Sequence, residues 1–321
     1  MLKHRHLRDF LAIAQAHSLR RAAATLGLTQ PAISRSLQEL EKDLGVALFK
    51  RHARGVELTA AGEKFLYRAQ GAMESIRRGY DDVRQVQGDM SGSVAVALSS
   101  ASVLGLLPYA YPRFRRALPA VRLRIVEGQF STIAAQLRDG RLDFYIGPPG
   151  NADGASYHMQ HIMGNQRFVM ARKDHPLQNA RSLAELAAAQ AEWLIVGLHE
   201  KVEREFEEVF SAHSLPSPAV RTLAESMLIV VTLLAATDAL AIMPKVLALS
   251  PLFKDQLKAI PIREELAAPD LVQVWSARFP LTPAAEQFSL LLQRAAAQPY
   301  LGPGQSALSK LPIGNVAAQR K

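Results

Sequence analysis

Gln30, Ser34, Arg35 and Gln38 fall at spacings that bring side chains to neighbouring positions on one helix, and each type can bond the edge of a base pair. A glutamine amide donates to and accepts from adenine at once, and an arginine fork donates twice to guanine. A serine hydroxyl serves bases or phosphates. The chemistry this quartet suggests is reading sequence in a DNA major groove. The plainer alternative is a solvated polar face. Just downstream, residues 47–58 carry Lys50, Arg51, His52 and Arg54 between the apolar anchors Leu48-Phe49 and Val56-Glu57-Leu58. That pattern predicts a hairpin with a basic tip, suited to following phosphates or entering a minor groove.

Other chemistries are poorly served. The chain has no cysteine, which excludes disulfides, thiolate metal sites and cysteine nucleophiles. His4 and His6 point to different helix faces, and His158 and His161 have no carboxylates spaced to complete a metal site. Ser99 lacks a neighbouring base and a G-x-S-x-G elbow. No catalytic residue, metal or cofactor is expected.

The elements that must position these residues follow from periodicity. Leu7, Phe10, Leu11 and Ala14 share one helical face, and Leu19, Ala22, Ala23 and Leu26 share another, with Ser18 placed as N-cap. Gly27 ends that second helix. Thr29 caps a third, with Pro31 tolerated in its first turn and Ile33, Leu37, Leu40 and Leu44 as its buried stripe. Two helices joined by such a turn make a helix-turn-helix. Thr59 then caps a long helix reaching about Gln87. Its narrow stripe of Phe65, Ala69, Met73 (or Ala72), Ile76, Tyr80 and Val83 suits pairing with a second copy, so a homodimer through 59–87 is expected. Gly88 to Ser93 reads as a short flexible linker.

Beyond Ser93 the texture changes to strands alternating with helices. Strands are predicted at 94–98, 122–126, 143–147, 167–171, 193–196, 220–223, 240–243, 257–260 and 271–277, with helices between most of them, including one over 103–117. That alternation predicts an α/β domain with mainly parallel pairing. The 321 residues, 49% hydrophobic and 21% charged, suit two or three globular domains. Net charge is +9, and residues 1–58 hold ten Lys/Arg against five Asp/Glu, so over half the excess lies in the first fifth of the chain. A basic module on a nearly balanced body is the asymmetry of a nucleic-acid binder. With no signal-peptide pattern and no 18-residue apolar run, a cytoplasmic protein without membrane contact is expected.

The run from Ser18 to Gly45, with Ala22-Ala23, Gln30-Pro31-Ala32-Ile33-Ser34 and Leu40-Glu41, followed by Leu48-Phe49-Lys50-Arg51 and Leu58-Thr59-Ala60-Ala61-Gly62, resembles the helix-turn-helix of LysR-type transcriptional regulators. Leu107-Pro108, Leu118-Pro119, Leu137 to Asp143, His175-Pro176-Leu177 and Met243-Pro244 are similar to that family's regulatory domain in kind and order. The family pattern of glycines before that last dipeptide is absent from Ala235 to Pro244.

The resemblance implies an N-terminal winged helix-turn-helix (1–58), all-α apart from its hairpin, and a linker helix and hinge (59–92). It further implies an α/β two-lobed regulatory domain (93–300), similar to periplasmic binding proteins, and a flexible tail (301–321). The first lobe is expected at 93–163 and 268–300, the second at 164–267. Implied partners are double-stranded promoter DNA, a small organic anion as effector, and further copies of the chain up to a homotetramer whose bending of DNA responds to effector. RNA polymerase is a further candidate partner. The expected DNA contacts are Ser18, Arg20, Gln30, Pro31, Ser34, Arg35, Gln38, Lys50, Arg51 and Arg54. Effectors in open α/β sheets gather at strand carboxyl ends beside helix N-termini. That rule nominates Ser99, Ser100, Ser102, Phe130, Ser131, Thr132 and Pro148 in the first lobe, and His199 and Ser226 across the cleft. Aromatic carboxylates and sulfonates are the candidate ligands. The alternative functions are a metabolite-binding or sensing protein, or an enzyme on the same scaffold.

Overall fold

The computed structural model describes residues 2–52, 55–197 and 200–298. At its amino end α1 (His4–Ala16), α2 (Leu19–Thr25) and α3 (Gln30–Leu44) pack around Phe10, Ile13, Ala22, Ile33, Leu37 and Leu40. Ser18 Oγ accepts the Arg21 N–H and Thr29 Oγ1 accepts the Ala32 N–H, satisfying amides that a first turn leaves unbonded. Leu44, expected to end the buried stripe of α3, is 42% exposed. The last turn of α3 runs past the core, and Ser36 is buried within it instead. The hairpin of β1 (Phe49–His52) and β2 (Gly55–Leu58) follows, with Phe49 opposite Leu58 and Arg51 opposite Val56. Lys50, Arg51 and His52 thus belong to β1 rather than to the turn, while Ala53 and Arg54 lie outside the described residues. The 27-residue α4 (Ala60–Val86) comes next, about 40 Å long.

In the following α/β region the elements are β3 (Ser93–Leu98), α5 (Ser100–Gly105), α6 (Leu107–Ala117), β4 (Arg122–Glu127), α7 (Phe130–Arg138), β5 (Phe144–Gly147) and β6 (Tyr157–Met163). The chain continues through β7 (Gln166–Arg172), α8 (Leu183–Ala188), β8 (Trp193–Val196), α9 (Glu200–Ser211), β9 (Val220–Ala224), α10 (Met227–Ala236), β10 (Leu240–Pro244) and α11 (Lys245–Leu249). It closes with β11 (Leu257–Ala259), β12 (Leu266–Ala267), β13 (Leu271–Ser276) and α12 (Pro283–Ala296). Two sheets result, ordered β4-β3-β5-β13-β6 and β11-β7-β10-β8-β9, with β12 beside β7.

Pairing is mixed, which corrects the expectation of mainly parallel sheets. β4, β3 and β5 run parallel, as do β10, β8 and β9. β13 runs antiparallel to β5 and β6, and β7 antiparallel to β10, β11 and β12. The chain passes between the sheets at β6–β7 and returns at β12–β13, so each crossing strand enters its sheet against the local direction. The helix predicted over 103–117 is two helices, broken at Leu106-Leu107-Pro108, where Pro108 cannot donate a backbone hydrogen bond.

Facing the first sheet's lobe, α4 buries charge. Arg78, Asp81 and Gln85 are nearly inaccessible, and Arg78 Nη2 lies 2.9 Å from Asp143 Oδ1. Asp143 Oδ2 also accepts the Ala95 N–H at 2.7 Å. Gln85 Oε1 accepts the Ala284 N–H and its amide donates to Ser91 O, while Asp81 accepts the Ser93 N–H and pairs with Arg77. Residues 91–93 are therefore tied to α4, correcting their reading as part of a flexible linker. The predicted apolar stripe divides. Phe65, Ala69 and Met73 pack on the amino-terminal core, whereas Ile76, Tyr80, Val83 and Val86 remain exposed.

Candidate nucleic-acid interface

On α3, Gln30, Pro31, Arg35 and Gln38 are exposed and Ser34 is half-buried. The opposite face, with Ile33, Leu37 and Leu40, is fully embedded in the core, so the polar face can turn nowhere but outward. A concave surface joins the start of α2, the start of α3 and the hairpin, lined by Ser18, Leu19, Arg20, Gln30, Arg51, His52, Gly55 and Val56. Thus Gln30 and Arg51, 21 positions apart in the sequence, share one depression. Arg20, Lys50 and Arg51 are exposed, and among the described residues neither these three nor Arg35 has a carboxylate at salt-bridge distance. Ser18 is half-buried and its hydroxyl is engaged as the α2 cap. Arg54 lies outside the described residues.

Acidic residues of α3 are turned to other tasks. Glu39 Oε2 accepts from Arg5 at 2.8 Å and lies 3.2 Å from His6 Nε2. The hydrogen bond from Arg5, then that from His6, holds its carboxyl below the usual carboxylate range. Glu39 thereby ties α3 to α1, a link that the polar spacing of the sequence did not announce.

The nominated effector residues scatter in role. Ser99 Oγ accepts the Ser102 N–H as the cap of α5, and Ser102 Oγ, fully buried, donates to Ile146 O at 2.9 Å. Phe130 is buried, edge-on to Tyr157 at 5.3 Å. Ser102 and Phe130 thus have partners within the lobe. Burial pushes the neighbouring Tyr145 hydroxyl above its ordinary range, although it accepts the Phe130 N–H at the start of α7. Ser226 caps α10 by accepting the Leu228 N–H. Ser100 donates to Glu127 at 2.5 Å. Ser131 and Thr132 stand exposed on the first turn of α7, Thr132 donating to Gln129 O, and Pro148 is half-buried beyond β5. His199 lies outside the described residues.

Lys245 follows the carboxyl end of β10 and was not among the residues nominated from the sequence. Its Nζ donates to Gln166 Oε1 at 2.9 Å and sits 5.5 Å from the centre of the Phe168 ring. It begins α11, which packs against α5 of the other lobe. A lone lysine after Met-Pro carries no periodic signal.

Comparison with known proteins agrees with this architecture. Residues 4–63 match the bacterial regulatory helix-turn-helix protein, lysR family, and residues 87–297 match the LysR substrate binding domain. The chain is 28% identical over 299 residues to the HTH-type transcriptional regulator GbpR of Azospirillum brasilense, covering 92% of this chain and 87% of that one. It is 33% identical over 190 residues to BudR of Raoultella terrigena, covering 58% of this chain and 65% of that one. The crystal structure of CbnR, a LysR family transcriptional regulator, shares the fold with a TM-score of 0.69 at 22% identity, over 92% of this chain and 99% of that one. Two family domains spanning nearly all the described residues, on this fold, make the chain a member of the LysR family: a DNA-binding transcriptional regulator with an effector-binding domain, and not an enzyme.

Proposed function

We propose that α3 reads base edges through Gln30, Ser34, Arg35 and Gln38, while Ser18, Arg20, Pro31, Lys50, Arg51 and Arg54 meet the phosphate backbone. The observation that carries this reading is the shared depression of Gln30 and Arg51 beside an α3 face that the core forces outward. In this reading 1–58 is the DNA-binding unit, 59–92 the linker and 93–300 the effector-binding unit, in a cytoplasmic protein. Two copies pair along the exposed Ile76, Tyr80, Val83 and Val86 of α4 and meet a pseudo-palindromic operator, and pairs of dimers bend promoter DNA near RNA polymerase.

The effector is a small organic anion between the lobes. The exposed Ser131 and Thr132, the half-buried Ser100 and Pro148, and the Lys245 cation support that class. Aromatic carboxylates and sulfonates are its first candidates, and a thermal-shift screen of them tests it. A ligand that binds only the folded chain raises the unfolding temperature; a flat response across both classes removes the anion from the proposal.

Salt dependence tests the DNA surface. Log affinity for a duplex should fall linearly with log salt, by about 0.9 per phosphate neutralised. Arg51→Ala should lower that slope by about 1 and weaken all sequences alike. An unchanged slope would remove Arg51 from the interface.

A further inference from the structure

Glu41 is a carboxylate on the helix that must approach DNA, where its charge opposes the phosphates. It is half-buried, and its Oε1 accepts two backbone amides at once, from Leu48 at 2.7 Å and from Phe49 at 3.2 Å. Those amides are the root of the wing, two residues before Arg51, and both side chains are buried there. Bonds from N–H groups to an ionised carboxylate are about twice as strong as neutral ones.

Other elements grip the wing from the far side. Thr59 donates its N–H to Leu48 O at 2.9 Å and its hydroxyl to Ala47 O at 2.8 Å. A Cβ at position 62 would come within 2.1 Å of Leu48 O, so glycine alone lets α4 lie that close. At the other end of the hairpin the Val56 N–H donates to His17 O, and Gly55, at φ 144°, presses against the same carbonyl. α4 and the α1–α2 turn therefore fix the wing to the body, while Glu41 links it to the reading helix itself.

We propose that Glu41 is a positioning residue for DNA recognition: by holding the Leu48 and Phe49 amides it sets the wing against α3, and so decides where Arg51 meets the backbone. This rests on the reading that Arg51 contacts DNA.

The test is a double-mutant cycle on the full chain, using one duplex selected by the unaltered protein from a random pool. Arg51→Ala should weaken binding about fivefold when Glu41 is present and less than about twofold in the Glu41→Ala background. Glu41→Gln, which keeps an acceptor oxygen and loses the charge, should retain most of the Arg51 effect. An equal Arg51 effect in all three backgrounds overturns the role of Glu41 alone. A flat response to Arg51→Ala in every background overturns the DNA reading of the wing and this inference with it. If Glu41 acted only as a repelling charge, both Glu41 variants would bind DNA more tightly with the Arg51 effect undiminished, which also overturns it. Should Glu41→Ala fail to fold, amide exchange on the unaltered chain decides: slow exchange at Leu48 and Phe49 supports the anchor, and exchange as fast as at exposed amides overturns it.

Discussion

Arg78 and Asp143 show how a charge can be buried at a junction and still be poorly satisfied. The pair is in contact at 2.9 Å, yet none of the three Arg78 guanidinium nitrogens makes a well-directed hydrogen bond. Removing one partner of such a pair strands the other in a low-dielectric site. Arg78→Met should therefore cost about 3–5 kcal/mol of unfolding free energy, measured by urea denaturation. The stranded group would be Asp143, whose carboxyl burial already pushes above its ordinary range, against the pull of Arg78 and of the Ala95 N–H. A carboxyl whose folded value is raised binds its proton more tightly folded than unfolded, so lowering the pH through that raised value favours the folded state. The deficit of Arg78→Met relative to the unaltered chain should shrink as pH falls, and a deficit independent of pH would show that Asp143 is not the stranded charge.

Among the elements, those whose signals are local were legible. Ser18 and Thr29 announce α2 and α3 because a capping hydroxyl satisfies amides a few residues away. Thr59 does the same for α4. Strand β6 was not legible: most of its side chains are exposed on both faces, so the alternation that marks a half-buried strand is missing. The serine-rich starts of α5 and α10 read equally as ligand sites and as caps. Burial and the Ser102–Ile146 bond give the first a structural role, one that depends on tertiary neighbours. For α4 the spacing predicted one seam, but the core takes its amino-terminal half and leaves Tyr80 69% and Val83 60% exposed. Val83→Glu places a charge in that seam and should shift the mass measured by light scattering toward monomer. A mass unchanged from the parent protein would exclude this stretch as the dimer contact.

At the scale of the whole molecule, α4 ties the reading head to the first lobe through contacts that include Tyr67 to Ala135 O, Arg78 to Asp143, Asp81 to the Ser93 N–H and Gln85 to the Ala284 N–H. Arg78 and Gln85 are polar residues on a helix predicted to be a simple apolar-seamed linker. Sequence periodicity registers which face is apolar but not which charges a second domain will cover. The α/β character of the region was legible from the order of strands and helices, and its two lobes from the resemblance to LysR-type regulators; the reversal of β7 and β13 was hidden, because strand direction is a property of the sheet.

Recognition of DNA by this chain is proposed to rest on the outward face of α3, and base preference measures that face most directly. Parallel selections from a random duplex pool, with the unaltered chain and with Arg35→Ala, should return the same site except at one base pair per half-site, where preference falls by about 1–3 kcal/mol. Identical preferences at every position for the two proteins would contradict the assignment of α3 as the reading helix.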